Sequence, residues 1–144
     1  MARRGSSRSL ALMPTPLAKA YVDQLFAEKN LSEIYWAISV VEKSRELSEE
    51  FWLFSRIYEW APARSGVCQY YESLPREQAD RIAEALDRLG LTDIADKYRL
   101  GQRIWDEPSQ AAEVDRWLDD NADEIHDAVF QLIADKKDRL TNES

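Results

Sequence analysis

The sequence predicts an all-α fold, a single globular domain of six or seven helices around one core. Three observations carry this. Glycine (4) and proline (5) are scarce across 144 residues, fewer than a strand-rich or disordered chain would use. Apolar residues recur at helical spacing, most clearly at Ile82, Ala85, Leu86 and Leu89. Helix start and stop residues punctuate those runs. The length suits one core without help from disulfides, with residues 1–14 read as a basic, flexible tail and 15–144 as the helical domain.

Thr15 followed by Pro16 predicts the first helix, with an acceptor at the N-cap and a pre-set φ in the first helical position. It should run to about Lys29 with Leu17, Tyr21, Val22 and Leu25 inward. Ser32 is expected to cap a second helix burying Ile34, Ile38 and Val41, and Ser48 a third burying Phe51, Phe54, Ile57 and Tyr58, which Pro62 ends. From Ala63 to Leu74 the pattern loosens around Gly66, leaving room for one or two helical turns in a packed connection. Pro75 opens the most strongly patterned helix, and Gly90 supplies its left-handed stop. Thr92 is expected to cap the next, with Ile94, Ala95, Tyr98 and Trp105 inward, until Pro108 interrupts it. Ser109 then restarts a shorter helix through Trp117 and Leu118. Asn121 and Glu124 stand in the capping-box arrangement for a final helix reaching about Leu140.

The formal net charge is −8, and setting aside Arg3, Arg4 and Arg8 of the tail leaves 16 bases against 27 acids, or −11. Such a body repels nucleic acid and anionic lipid and is drawn toward basic partners. A single cysteine, Cys68, forms no internal disulfide, and no His/Cys cluster offers a zinc site, so a reducing, cytoplasmic setting is expected. Cys68 itself reads as a buried thiol. No apolar run approaches the roughly 20 residues that span a bilayer.

Nine acids face one base, Arg116, between Asp106 and Asp127. They are Asp106, Glu107, Glu113, Asp115, Asp119, Asp120, Asp123, Glu124 and Asp127, interleaved with Trp105, Trp117 and Ile125. That pattern predicts a folded acidic face able to occupy a basic surface. On the last expected helix, Ile125, Ala128, Val129 and Leu132 share one side while Asp123, Glu124, Asp127, Asp135 and Asp138 share the other. Asp115, Asp119 and Asp123 would form a row about 6 Å apart along the axis if helix ran through Asn121. Duplex DNA also presents rows of negative charge, so the face could enter a DNA-binding groove. Plain solubility is the competing explanation for acids on a helix surface.

Other chemistry is sparse. His126 is the only histidine, and a single Asp123-x-x-His126 lacks the second motif that di-iron bundles need. Glu46-x-x-Glu49 with Glu124-x-x-Asp127 resembles the paired acids of helical, magnesium-dependent nucleotide pyrophosphohydrolases, but no Lys/Arg cluster accompanies them to hold phosphates. No cofactor and no catalytic residue is expected. The five tryptophans, Trp36, Trp52, Trp60, Trp105 and Trp117, supply core area. Were Trp60 or Trp117 exposed beside the carboxylates, it would anchor a general protein-interaction or immunity-type interface.

Gly66, Gln69, Tyr70 and Tyr71, followed by Ala83-Glu84-Ala85-Leu86 and Leu89-Gly90-Leu91, resemble the pattern of the DNA mimic protein 19 family over about residues 51–133. Arg64, Ser65 and Val67 stand where that family usually has Asn, Gly and Phe. The resemblance implies a small acidic helical domain and a partner that is a basic protein, such as a DNA-binding transcriptional regulator or a nucleoid protein. The Gly-Val-Cys-Gln-Tyr-Tyr segment also has a structural reading, in which Gly66 permits a tight turn and the two tyrosines bury their rings with hydroxyls bonded nearby.

Overall fold

The computed structural model describes residues 17–61 and 66–141; the arginine tail, Thr15-Pro16 and Pro62 lie outside them. The all-α expectation holds: the described residues form seven α-helices and one 3-10 helix, with a lone parallel bridge between Leu17 and Thr141. Contacts group them into two compact units, residues 17–48 with 134–141, and residues 49–133.

In the first unit, α1 (Lys19–Ala27) and α2 (Leu31–Glu42) pack with the 3-10 helix Ala134–Leu140. Val22, Leu25 and Phe26 are buried on α1, and Ile34, Ala37, Ile38 and Val41 on α2. Leu17, expected inside the first helix, precedes it and donates its N–H to the Leu140 carbonyl at 2.9 Å. The link between α1 and α2 uses Asn30 twice. Lys29 adopts φ 53°, its N–H reaching Phe26 O and that of Asn30 reaching Leu25 O, the paired bonds of a Schellman stop. The Asn30 side chain then caps α2 by accepting from the Glu33 N–H at 3.3 Å. Ser32, expected to be that cap, lies two residues further along and donates its hydroxyl to Asn30 Oδ1. After Ile133 the chain tightens into the 3-10 helix rather than staying α-helical to Leu140. Asp138, expected on an anionic side, pairs with Lys19 at 3.5 Å, and Lys137 pairs with Asp23 at 3.1 Å.

The second unit holds α3 (Glu49–Trp60), α4 (Gly66–Glu72), α5 (Arg76–Arg88), α6 (Thr92–Ile104) and α7 (Pro108–Ile133). α3 packs on α7 and on α5, α5 on α6, and α4 on both α6 and α7. Phe51, Leu53, Phe54, Ile57, Trp60, Ile82, Leu86, Tyr98, Leu118 and Ile125 are the bulkiest fully buried side chains of this unit. Ser48 does precede α3, but its hydroxyl is buried with no hydrogen-bond partner among the described residues, so it is not the expected cap. The loose stretch after Gly66 does form two helical turns, α4. α5 ends as the sequence indicates: Gly90 takes φ +87°, and Leu91 and Gly90 donate to Leu86 O and Asp87 O. Thr92 is the first residue of α6 rather than its cap; Leu91 holds that position and no side chain closes it.

The largest departure is α7. Instead of a shorter helix followed by a capped final one, Pro108–Ile133 is one unbroken helix of 26 residues. Asn121 sits inside it, donating from Nδ2 to the Trp117 carbonyl at 2.8 Å. An N-cap needs non-helical backbone at its own position. Here Ala111, Val114, Leu118, Ile125 and Val129 are buried in a stripe running past Asn121, and burial of that stripe outweighs a local capping preference of about 1 kcal/mol.

Candidate partner-binding face

The unbroken α7 determines how its acids are arranged. At about 100° per residue, Glu113, Asp119, Asp120, Asp123, Glu124 and Asp127 fall within an arc of about 140° opposite the buried stripe. All six are exposed. Asp119, Asp123 and Asp127 follow at four-residue steps, about 6 Å apart along the axis; the expected row of Asp115, Asp119 and Asp123 is not formed on this arc, because Asp115 turns toward α4 although the helix runs unbroken through Asn121. Asp106 and Glu107 are exposed just before the helix, and Glu107 O accepts from the Ala111 N–H. There the two carboxylates also complement the positive end of the helix dipole. Among the described residues, Asp106, Glu107, Glu113, Asp119, Asp120, Asp123 and Glu124 form no ion pair; ion pairs occur elsewhere, as between Arg99 and Asp87 at 2.7 Å. Arg116 lies on the same arc, exposed.

Asp115 differs from the other eight. It is half-buried and turns toward α4, where its Oδ1 accepts from the Val67 N–H at 2.9 Å. Gly66 starts α4 at φ +91°, and a Cβ there would stand 3.3 Å from the Asp115 carboxylate. Asp115 therefore caps α4 across 48 residues of sequence, and nothing local in the sequence announces it. Gly66 takes the positive φ that glycine favours, while the residues of the expected turn before it lie outside the described residues.

Behind this face the tyrosines of the Gly66–Glu72 segment are structural. Tyr70 and Tyr98 share a hydroxyl–hydroxyl bond of 2.8 Å, and the Tyr71 hydroxyl donates to the Tyr98 carbonyl at 2.8 Å. Tyr71 lies against Gly101, where a Cβ would come within 2.7 Å of the hydroxyl. Trp60 tilts against Tyr98 with centroids 5.1 Å apart. Burial pushes the Tyr70 phenol up to about 12, and it pushes Tyr71 and Tyr98 further in the same direction.

The remaining sequence candidates are engaged or dispersed. His126 is half-buried, its Nε2 bonded to the Ala61 carbonyl and its ring 5.6 Å from that of Tyr58. Glu49 is held by the Arg88 guanidinium, whose Nε donates at 3.1 Å, and this pairing keeps the Glu49 carboxyl below its ordinary value. No group of three or more His, Cys, Asp or Glu side chains placed to hold a metal ion occurs among the described residues. Cys68, expected to be buried, is exposed on α4. Trp60 is buried, Trp36 is half exposed, and Trp117 is half-buried with the Lys97 ammonium 5.2 Å from its ring. No described helix is long and apolar enough to cross a membrane.

Comparison with known proteins finds no matching family model, no matching curated protein and no matching solved structure.

Proposed function

We propose that the chain is a non-enzymatic, cytoplasmic binding protein whose α7 face occupies a basic surface of a protein partner, in competition with the DNA that the partner binds. One observation carries the reading: α7 runs unbroken through Asn121, so Glu113, Asp119, Asp120, Asp123 and Glu124 stand exposed on a single arc with no ion-pair partner among the described residues. Carboxylates crowded this way repel one another, and a row of cationic side chains relieves that repulsion. A spacing of about 6 Å along the helix axis compares with one phosphate per roughly 3.4 Å along each DNA strand, so alternate phosphates of a strand are the closest match. The partner chemistry that fits is a Lys/Arg-rich DNA groove, as in a transcriptional regulator or nucleoid protein, which is also what the family resemblance implies.

The test is retention of DNA-binding proteins on the immobilised chain, their release by duplex DNA, and loss of both when Asp119, Asp120, Asp123 and Glu124 are all changed to Lys. These side chains are exposed, so helicity should persist. Binding that survives the reversal, or that duplex DNA does not displace, refutes the proposal.

A second reading, a protein-interaction module without DNA mimicry, is favoured by a cleft of about 200 Å³ between α6 and α7, walled by Trp117, Leu100 and Ile104 and edged by Glu113. Binding through that cleft would persist at high salt and fall on changing Trp117 to Ala.

A further inference from the structure

One cavity of the second unit is lined by no residue of α7 and is rich in arginine. It occupies about 630 Å³ between the end of α4, the start of α5 and the last turns of α6, within the size range of small-molecule sites. Three arginines line it, Arg76 from α5 and Arg99 and Arg103 one turn apart on α6. In a chain with 27 acids and 19 bases, cations would be expected to find carboxylates. Arg99 does so, through Asp87 at 2.7 Å. Arg76 and Arg103 form no ion pair among the described residues, although Glu72 and Asp80 also line the cavity. Asp80 instead accepts the Gln102 amide at 3.0 Å.

Part of the wall is apolar and held in place. Leu74, Ala79 and the half-buried Trp105 ring contribute it, and Tyr71 is fixed by its bond to the Tyr98 carbonyl and its contact with Gly101. Guanidinium forks bind oxyanions in two-point fashion, and their faces stack on flat rings.

We propose that this cleft binds a small organic anion consisting of a carboxylate or phosphate head on a flat apolar body. The head is held between Arg76 and Arg103, and the body lies on Trp105 and Leu74. None of the lining residues belongs to α7.

The experiment is titration of the isotopically labelled full chain, followed by ¹H–¹⁵N spectra, with phenyl phosphate, benzoate, inorganic phosphate and the neutral benzyl alcohol. Saturable shifts of the Trp105 indole N–H and of the Arg76 and Arg103 side-chain N–H groups are expected with phenyl phosphate or benzoate, and whichever saturates first identifies the head group. Arg103→Gln and Arg76→Gln should each weaken that binding about tenfold, as loss of a charge-assisted bond implies. Arg116→Gln, on α7, should leave it unchanged. Failure of both aromatic anions to give localised saturable shifts overturns the proposal, as does equal binding of benzyl alcohol, equal binding of inorganic phosphate, or insensitivity to both cleft arginine variants.

Discussion

The tyrosine cluster makes stability depend on alkaline pH in a calculable way. Tyr70, Tyr71 and Tyr98 are joined by two 2.8 Å hydrogen bonds, and burial raises all three phenols, Tyr70 to about 12. In the unfolded chain each ionises near pH 10. Above that pH the unfolded state releases protons that the folded state keeps, so stability is fully present below about pH 10 and falls as pH rises. The slope is about 1.4 kcal/mol per pH unit for each tyrosine, or about 4 kcal/mol per unit for the three together. Tyr70 stops contributing once its own folded value, about 12, is passed. Against a domain stability of 5–15 kcal/mol, taken as typical to order of magnitude, a loss of about this size brings unfolding near pH 11 to 12. The assay is urea unfolding at half-unit steps from about pH 8 to 11, read by near-ultraviolet circular dichroism, for the parent and for Tyr70→Phe. The variant should be less stable at every pH because it loses the bond to Tyr98, but its decline above about pH 10 should be shallower by about a third. Equal slopes would refute the reasoning, as would a complete tyrosinate absorbance band in protein that is still folded.

Three further substitutions probe single contacts. Lys29→Gly should raise the thermal midpoint, because Lys29 holds φ 53° where a side chain costs about 1 kcal/mol. Asp115→Ala should cost about 1 kcal/mol in urea unfolding by leaving the Val67 N–H without its acceptor, and faster amide exchange at Val67 would locate the effect. Gly101→Ala should cost about 1–3 kcal/mol by forcing a methyl group against Tyr71, where a Cβ would stand 2.7 Å from the hydroxyl; an unchanged denaturation midpoint would contradict that packing.

Helices were legible wherever periodicity and stop residues agreed. Ile82, Ala85 and Leu86 face the core as their spacing requires, and Gly90 closes α5 in the left-handed conformation. Caps were less legible, because Ser, Thr and Asn near a helix start compete for one position. Asn30 reaches the Glu33 N–H while also ending α1, which leaves Ser32 inside α2. Thr92 and Ser48 close nothing among the described residues. Of the nine acids singled out, eight are exposed, but Asp115 turned out to serve α4, a contact between residues 48 apart.

Composition and spacing alone determined that this chain is helical, strongly acidic and provided with apolar stripes enough for a core, because those properties depend on neighbours three or four residues away. Whether α7 breaks at Asn121, which carboxylates point outward, and which arginines line one cleft were decided only by packing. These outcomes depend on burial summed over distant segments, which overrides a local signal worth about 1 kcal/mol.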